Sequence, residues 1–381
     1  MRPDAGVSVG VRHRSGGDGV GSTGMRSAAG SAAEGERRNV SDAMGVIVLG
    51  ACAVWALITA TAHDGRPEGV LLAVLAVAAG YASGRILGAL LPVAAPGAGA
   101  LAGLGLALTA AHTTPDPQLT TPLGHGGATA ALLALSTGAA CCAAWAARSP
   151  AQRLALSLLA VGIVVSAAVL GSTTGCAAGT GVLLCSLAAD RMRRRALGLG
   201  GLALAAALVT GATWAVAANV LPDGLTASLE GPLTEHRVLL WRDALHLAGH
   251  HPALGVGPGR YGELGPTVTQ SLLPDGKPHS APWQQAAEQG LVGVALLAAV
   301  FCWFLYSLWR SPRSTTIALT AGAALTALAV IASLGNALSF TTVTAGAGLL
   351  AGLATARPLA DEDLERVLNT GDQTPRNQLE P

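Results

Sequence analysis

Charge is scarce in this chain. Asp, Glu, Lys and Arg make up 12% of 381 residues, about half the share of an ordinary soluble domain. Aromatic residues are scarcer still at 3%, so the hydrophobic half of the composition is Ala, Leu, Val and Gly. Lysine occurs once, at Lys277. With a net charge of +1 and no basic patch interleaved with aromatics, nothing marks a nucleic-acid partner. The six cysteines all lie in or beside apolar runs, and Cys141-Cys142 is adjacent rather than C-x-x-C, so neither a disulfide framework nor a cysteine metal site is implied. What fills the chain instead is a series of long apolar runs without alternation. That pattern excludes a transmembrane barrel and predicts an all-α, polytopic membrane protein.

The runs predict about ten spans, near 44–62, 69–91, 95–112, 127–147, 153–171, 174–189, 196–219, 290–310, 315–334 and 339–356. Arginine sets their orientation. Arg37 and Arg38 precede the first span, Arg148 and Arg153 flank the turn after the fourth, Arg191, Arg193, Arg194 and Arg195 follow the sixth, and Arg310 and Arg313 follow the eighth. With ten spans all these clusters fall on one side, which the positive-inside rule makes cytoplasmic together with both termini. The resulting organisation is a disordered cytoplasmic segment over 1–42, a bundle of about seven spans over 43–219, a large extracytoplasmic loop with short helices over 220–289, about three spans over 290–356, and a cytoplasmic tail over 357–381.

The loop holds five of the nine histidines and the only lysine. Its first helical stretch begins near Thr234, a suitable N-cap, and runs to about Gly249, with Arg237 and Trp241 four residues apart on one face. Gly255-Val256-Gly257-Pro258-Gly259-Arg260-Tyr261 follows. On spacing alone it is a structural turn: no strand precedes it, and Pro258 blocks a phosphate-binding helix start. A second helical stretch, from Pro282 to Gln289, runs into the span at Gly290, with His279 just ahead of it. A position near the positive end of a helix favours the neutral, proton-accepting imidazole. His246 and His250, at i and i+4, are a feasible metal pair, but no third ligand stands at a telling spacing, so no metal or other cofactor is expected.

Three groups of residues in this order, Arg237-x-x-x-Trp241, His251-Pro252-x-x-Gly255-x-Gly257, and His279 with Glu288, Gly290 and Gly293, resemble the O-antigen ligase and polymerase-like family. The resemblance extends from around Arg153 to Leu305, about two-fifths of the chain. It implies an extracytoplasmic transfer of a glycan from an undecaprenyl-diphosphate carrier to an acceptor hydroxyl on a lipid, polysaccharide or protein, without metal or nucleotide sugar. On that reading Arg237 binds the diphosphate, because a guanidinium gives planar, charge-assisted hydrogen bonds to such oxygens, and His279 takes the acceptor proton. Arg260 is a second candidate cation. Trp241 and Trp283 are candidates to stack on sugar, with packing as the alternative, and Glu288 to orient an arginine or His279.

The chain departs from the family at two places. Ser280 stands where the family has Asn after the histidine, and Gly171-Ser172-Thr173-Thr174-Gly175-Cys176 lacks the family's Ser-Arg arginine, for which Arg260 or Arg66 would have to compensate. These departures leave open a non-catalytic relative that binds lipid-linked glycan or scaffolds polysaccharide assembly. Transport is the weakest alternative. The spans carry almost no charge besides Arg85, and no internal repeat is visible.

Overall fold

The computed structural model describes residues 21–112, 124–192, 194–218, 220, 235–264 and 279–359, and side chains only within parts of these. Every regular element among them is helical. In chain order they are α1 (Gly21–His63), α2 (Glu68–Leu90), α3 (Ala94–His112), α4 (Gly124–Ala146), α5 (Pro150–Val169), α6 (Thr173–Ala189), α7 (Arg195–Ala217), α8 (Glu235–His250), the single turn α9 (Tyr261–Leu264), α10 (Ala281–Arg310), α11 (Thr315–Leu334), a 3-10 turn (Ala337–Ser339) and α12 (Thr341–Thr355).

Seven of these helices are long and apolar enough to cross a membrane: α1 from Val40, α2, α4 from Gly126, α5, α7, α10 and α11. Three shorter apolar helices, Ala94–Ala110, Thr173–Ala189 and Thr341–Thr355, fall on the remaining expected runs. A helix satisfies its own backbone hydrogen bonds, so apolar sequence in lipid takes this form. α1 begins at Gly21, within the segment expected to be disordered. The segment ahead of the span is rich in Ala with Met, Glu and Arg, which extend a helix once the apolar span supplies a nucleus. Residues 1–20, the tail from 360 on, and the expected N-cap Thr234 lie outside the described residues.

Two helices form the inside of the bundle. The spanning window of α4 is 94% buried and that of α11 is 78%, whereas α2, α5 and α7 are 17% buried and turn most of their apolar surface outward. The core between them is built from small residues such as Ala130, Ala134, Ala140, Ala321 and Ala324, with Leu133, Ile163, Leu308 and Val343 filling the wider gaps. Without a hydrophobic drive in lipid, association depends on such close packing.

The closest approach joins α2 to α12. Gly80, Gly84 and Gly88 on α2 face Gly348 and Gly352 on α12. A Cβ on Gly84 would stand 2.3 Å from the Leu349 carbonyl oxygen, and one on Gly352 would stand 2.2 Å from that of Tyr81. The two backbones touch directly, the arrangement that small residues four apart permit.

One end of the bundle is closed by arginine. Arg313 is buried and donates through Nε to the Ala356 carbonyl (2.7 Å) and through Nη2 to the Gly88 carbonyl (2.8 Å). Arg195 donates to the carbonyls of Ser311 (2.7 Å) and Leu308 (3.3 Å), and to that of Arg313. All but that of Arg313 are carbonyls left over at helix C-termini, where cations are also favoured by the macrodipole. Arg153 stacks on Trp145 at 5.4 Å and Arg310 on Trp309 at 5.1 Å at the same end, the amphipathic pairing typical of a membrane boundary.

Candidate functional site

The other end carries α8, the glycine turn and the start of α10. These elements share a second core, in which Val216 and Ala217 of α7, Trp241, Ala244 and Ala248 of α8, Tyr261 of α9, and Trp283, Ala286 and Ala287 of α10 pack together. The Tyr261 hydroxyl donates to the Leu240 carbonyl at 2.8 Å. Burial pushes the Tyr261 phenol well above its ordinary value, and the negative charge of Asp243 adds to the shift.

The polar stretch ahead of the span and the span itself form one helix, α10, broken at Gly290 (φ 68°, ψ −166°). That backbone conformation is essentially restricted to glycine. The break frees backbone groups that lipid cannot satisfy, and the glycine turn takes them up. Val256 N–H donates to the Ala287 carbonyl, Gly257 N–H to the Glu288 carbonyl, and Leu291 N–H to the Pro252 carbonyl, each at 2.9 Å. The remaining carbonyl, that of Gln289, accepts from Trp55 Nε1 of α1 at 3.1 Å. Gly255 (φ 66°) makes the approach possible, since a Cβ there would lie 2.4 Å from the Glu288 carbonyl carbon. The turn is therefore structural.

The first turn between spans joins this unit. Arg66 N–H donates to the Pro258 carbonyl (2.8 Å), and Arg260 Nη1 donates to the His63 carbonyl (2.6 Å). The His63 ring stands edge-on to that of His251, with centroids 6.4 Å apart. Arg260 also lies 3.6 Å from Glu263. Sequence reasoning had no signal for His63, because its partners are almost two hundred residues away (a separation of 197 to Arg260). Arg66 is exposed, and its guanidinium makes no hydrogen bond or ion pair among the described residues.

The expected site residues distribute as follows. His279, half-buried and in a left-handed backbone conformation (φ 48°), precedes Ser280, the N-cap of α10. Glu288 is 4% exposed and accepts from Gln284 Nε2 at 3.3 Å. Near them three buried polar atoms, Ser280 Oγ, Trp283 Nε1 and Gln289 Nε2, have no hydrogen-bond partner among the described residues, a costly state in a low dielectric. Arg237 belongs to α8, but its side chain lies outside the described residues, as do Lys277 and the segment 265–278.

Trp241 is 0% exposed and Trp283 is 6% exposed, both within the second core. This burial is the packing alternative for Trp241 and Trp283. The His246–His250 pair is spent locally: its rings lie 4.2 Å apart, and His250 Nδ1 contacts the His246 carbonyl at 2.9 Å. Among the described residues no three metal-ligating groups converge. Ser172, where the resemblance departs, caps α6 by accepting from Gly175 N–H at 3.2 Å. No family model matches the chain, and no curated protein matches it.

Proposed function

We propose that this chain is a cell-envelope glycan ligase or polymerase, moving a glycan from an undecaprenyl-diphosphate carrier to an acceptor hydroxyl at the outer face of the cytoplasmic membrane. In this reading all ten apolar helices span, both termini are cytoplasmic, and the unit of α8, the glycine turn and the start of α10 is extracytoplasmic. The observation that carries it is the assembly of that unit. Residues quoted for the resemblance, far apart in sequence, lock together through the Gly290 break, with Glu288 on the polar turns of α10 ahead of the break and His279 just before the N-cap of that helix. The three unpartnered polar atoms there suit a hydroxyl-rich ligand better than a lipid tail.

In this mechanism Arg237 binds the diphosphate and stabilises its departing charge. His279 accepts the acceptor's proton, and Glu288 orients one of them. Arg260 holds the first turn against the glycine turn, and exposed Arg66, whose backbone N–H joins the same junction, is the other candidate cation there. Each of the two substitutions Arg237→Ala and His279→Ala is expected to lower glycan transfer to envelope polysaccharide by about 10²-fold or more. Wild-type transfer by both variants ends this reading. Orientation is checked separately: a cysteine replacing exposed Glu263 should react with a membrane-impermeant maleimide in intact cells.

A second reading, a non-catalytic relative that binds the lipid-linked glycan, draws on one observation. Ser172 is committed to capping α6, and no arginine stands within Gly171–Cys176. It predicts that Arg237→Ala weakens glycolipid binding while His279→Ala changes nothing.

A further inference from the structure

A slot opens between α1 and α2 near the arginine end of the bundle. It is lined along α1 by Asp42, Gly45, Val46 and Leu49, and along α2 by Ala78, Tyr81, Ala82 and Arg85, with Trp303 as its floor. Both sets of residues follow the i, i+3, i+4, i+7 spacing of one helix face, so the slot runs about 10 Å along the two helices. Its volume is ≈ 340 Å³, within the range of small-molecule pockets. Gly45 lets the Trp303 ring lie directly against α1 as that floor, because a Cβ there would stand 2.3 Å from the ring.

The slot is polar at one end only. Arg85 Nη1 lies 2.7 Å from Asp42 Oδ1 and 3.2 Å from the Tyr81 hydroxyl. Asp42 lies two residues inside the start of the first spanning segment, and Arg85 five residues inside the end of the second. The pair therefore sits about 3–8 Å from the helix ends, at 1.5 Å per residue, the depth of a lipid headgroup and its linkage. From there the walls become apolar through Val46, Ala82, Ala78 and Leu49. Neither charge is saturated: among the described residues Arg85 Nε and Nη2, and Asp42 Oδ2, have no hydrogen-bond partner. What remains is an anion-binding fork beside a cation-binding oxygen, above an apolar trough.

We propose that this slot holds one glycerophospholipid with a zwitterionic amino headgroup, of the phosphatidylethanolamine kind. Its phosphodiester takes the free Arg85 donors, its primary ammonium takes Asp42 Oδ2, and the upper part of an acyl chain lies against Val46, Ala82 and Ala78. A choline headgroup has the phosphodiester but no N–H donor for Asp42. A glycerol headgroup has no cation to answer it. The inference is independent of any reading of the opposite end.

The test is native mass spectrometry of the full chain in detergent, supplied with equimolar phosphatidylethanolamine, phosphatidylglycerol and phosphatidylcholine of identical acyl chains. The wild type is expected to retain one phosphatidylethanolamine on the order of tenfold above either competitor. Arg85→Gln should abolish retention of all three. Asp42→Asn should bring phosphatidylethanolamine down to the level of the others. Ala82→Leu, at an exposed position that leaves the ion pair intact, should exclude lipid without unfolding the protein. Equal retention of the three lipids by the wild type overturns the proposal. So does a preference for phosphatidylglycerol, or a phosphatidylethanolamine preference that survives Ala82→Leu. If Arg85→Gln lowers the melting temperature but leaves lipid selectivity unchanged, the pair is a structural bridge alone.

Discussion

The two ends of the bundle are closed by different means. At one end Arg195 and Arg313 reach across helices and donate to carbonyls at the C-termini of α2, α10 and α12. At the other, the glycine turn and the Gly290 break exchange backbone hydrogen bonds with no charged side chain between them. Each solution meets the same demand, that buried backbone groups find partners, but the consequences differ. Arginine closure commits the guanidinium groups to structure. Backbone closure needs fewer charged side chains, Arg260 among them, and among the described residues three buried polar atoms without partners, Ser280 Oγ, Trp283 Nε1 and Gln289 Nε2, lie at that end. An end that must keep side chains available for a ligand is better built from backbone.

The largest expected effect tests the backbone closure. Gly290→Ala places a Cβ 2.5 Å from the Ala253 carbonyl oxygen in a glycine-only conformation. We expect it to cost about 3 kcal/mol or more, read from the midpoint of detergent-induced unfolding, with the second core lost before the first. Next comes the arginine closure. Arg313→Ala strands the Gly88 and Ala356 carbonyls and should cost about 2 kcal/mol or more, at about 1–3 kcal/mol for each unsatisfied buried group. If Arg313→Ala proves silent, the contrast between the ends is false.

A smaller effect separates the cores. Tyr261→Phe removes one buried hydrogen bond, to the Leu240 carbonyl, for about 1 kcal/mol. It also changes the alkaline response. The folded protein holds the phenol above its ordinary value near 10. The unfolded chain therefore loses its proton first as pH rises, and this contribution, complete below about pH 10, is lost above it. The wild type should lose stability in that window more steeply than the Phe variant. The smallest effect is that of Ser172→Ala, expected to cost about 1 kcal/mol or less through a lost N-cap. A larger loss, or a loss of glycan transfer without loss of stability, would show that Ser172 does more than cap.

Much of this was legible in the sequence, for physical reasons. Hydropathy in lipid is a local property, so each expected apolar run carries a helix, and α8 and the start of α10 also stand where amphipathic spacing placed them. What escaped is non-local. Trp241 and Trp283 read as interfacial because each has polar neighbours, yet α7, α9 and α10 supply the cover that buries them. The arginines read as topology markers include two that cap helices, because a cation count does not reveal where a guanidinium points. The glycines of α2 look like any small residues of a span until α12 is placed against them. The resemblance drew attention to Gly255, Gly257 and Gly290 in order; only the fold shows that they engage one another.

The glycine seam has a consequence for biogenesis. Its halves are Gly80–Gly88 and Gly348–Gly352, near opposite ends of the chain. A ribosome delivers α2 to the membrane long before α12 exists, and the small-residue face of α2 waits uncovered while the intervening helices are inserted. The seam is thus complete only once α12 arrives. A chain truncated at Phe340 would keep α4 and most of α4's neighbours but leave the glycine face of α2 open to lipid.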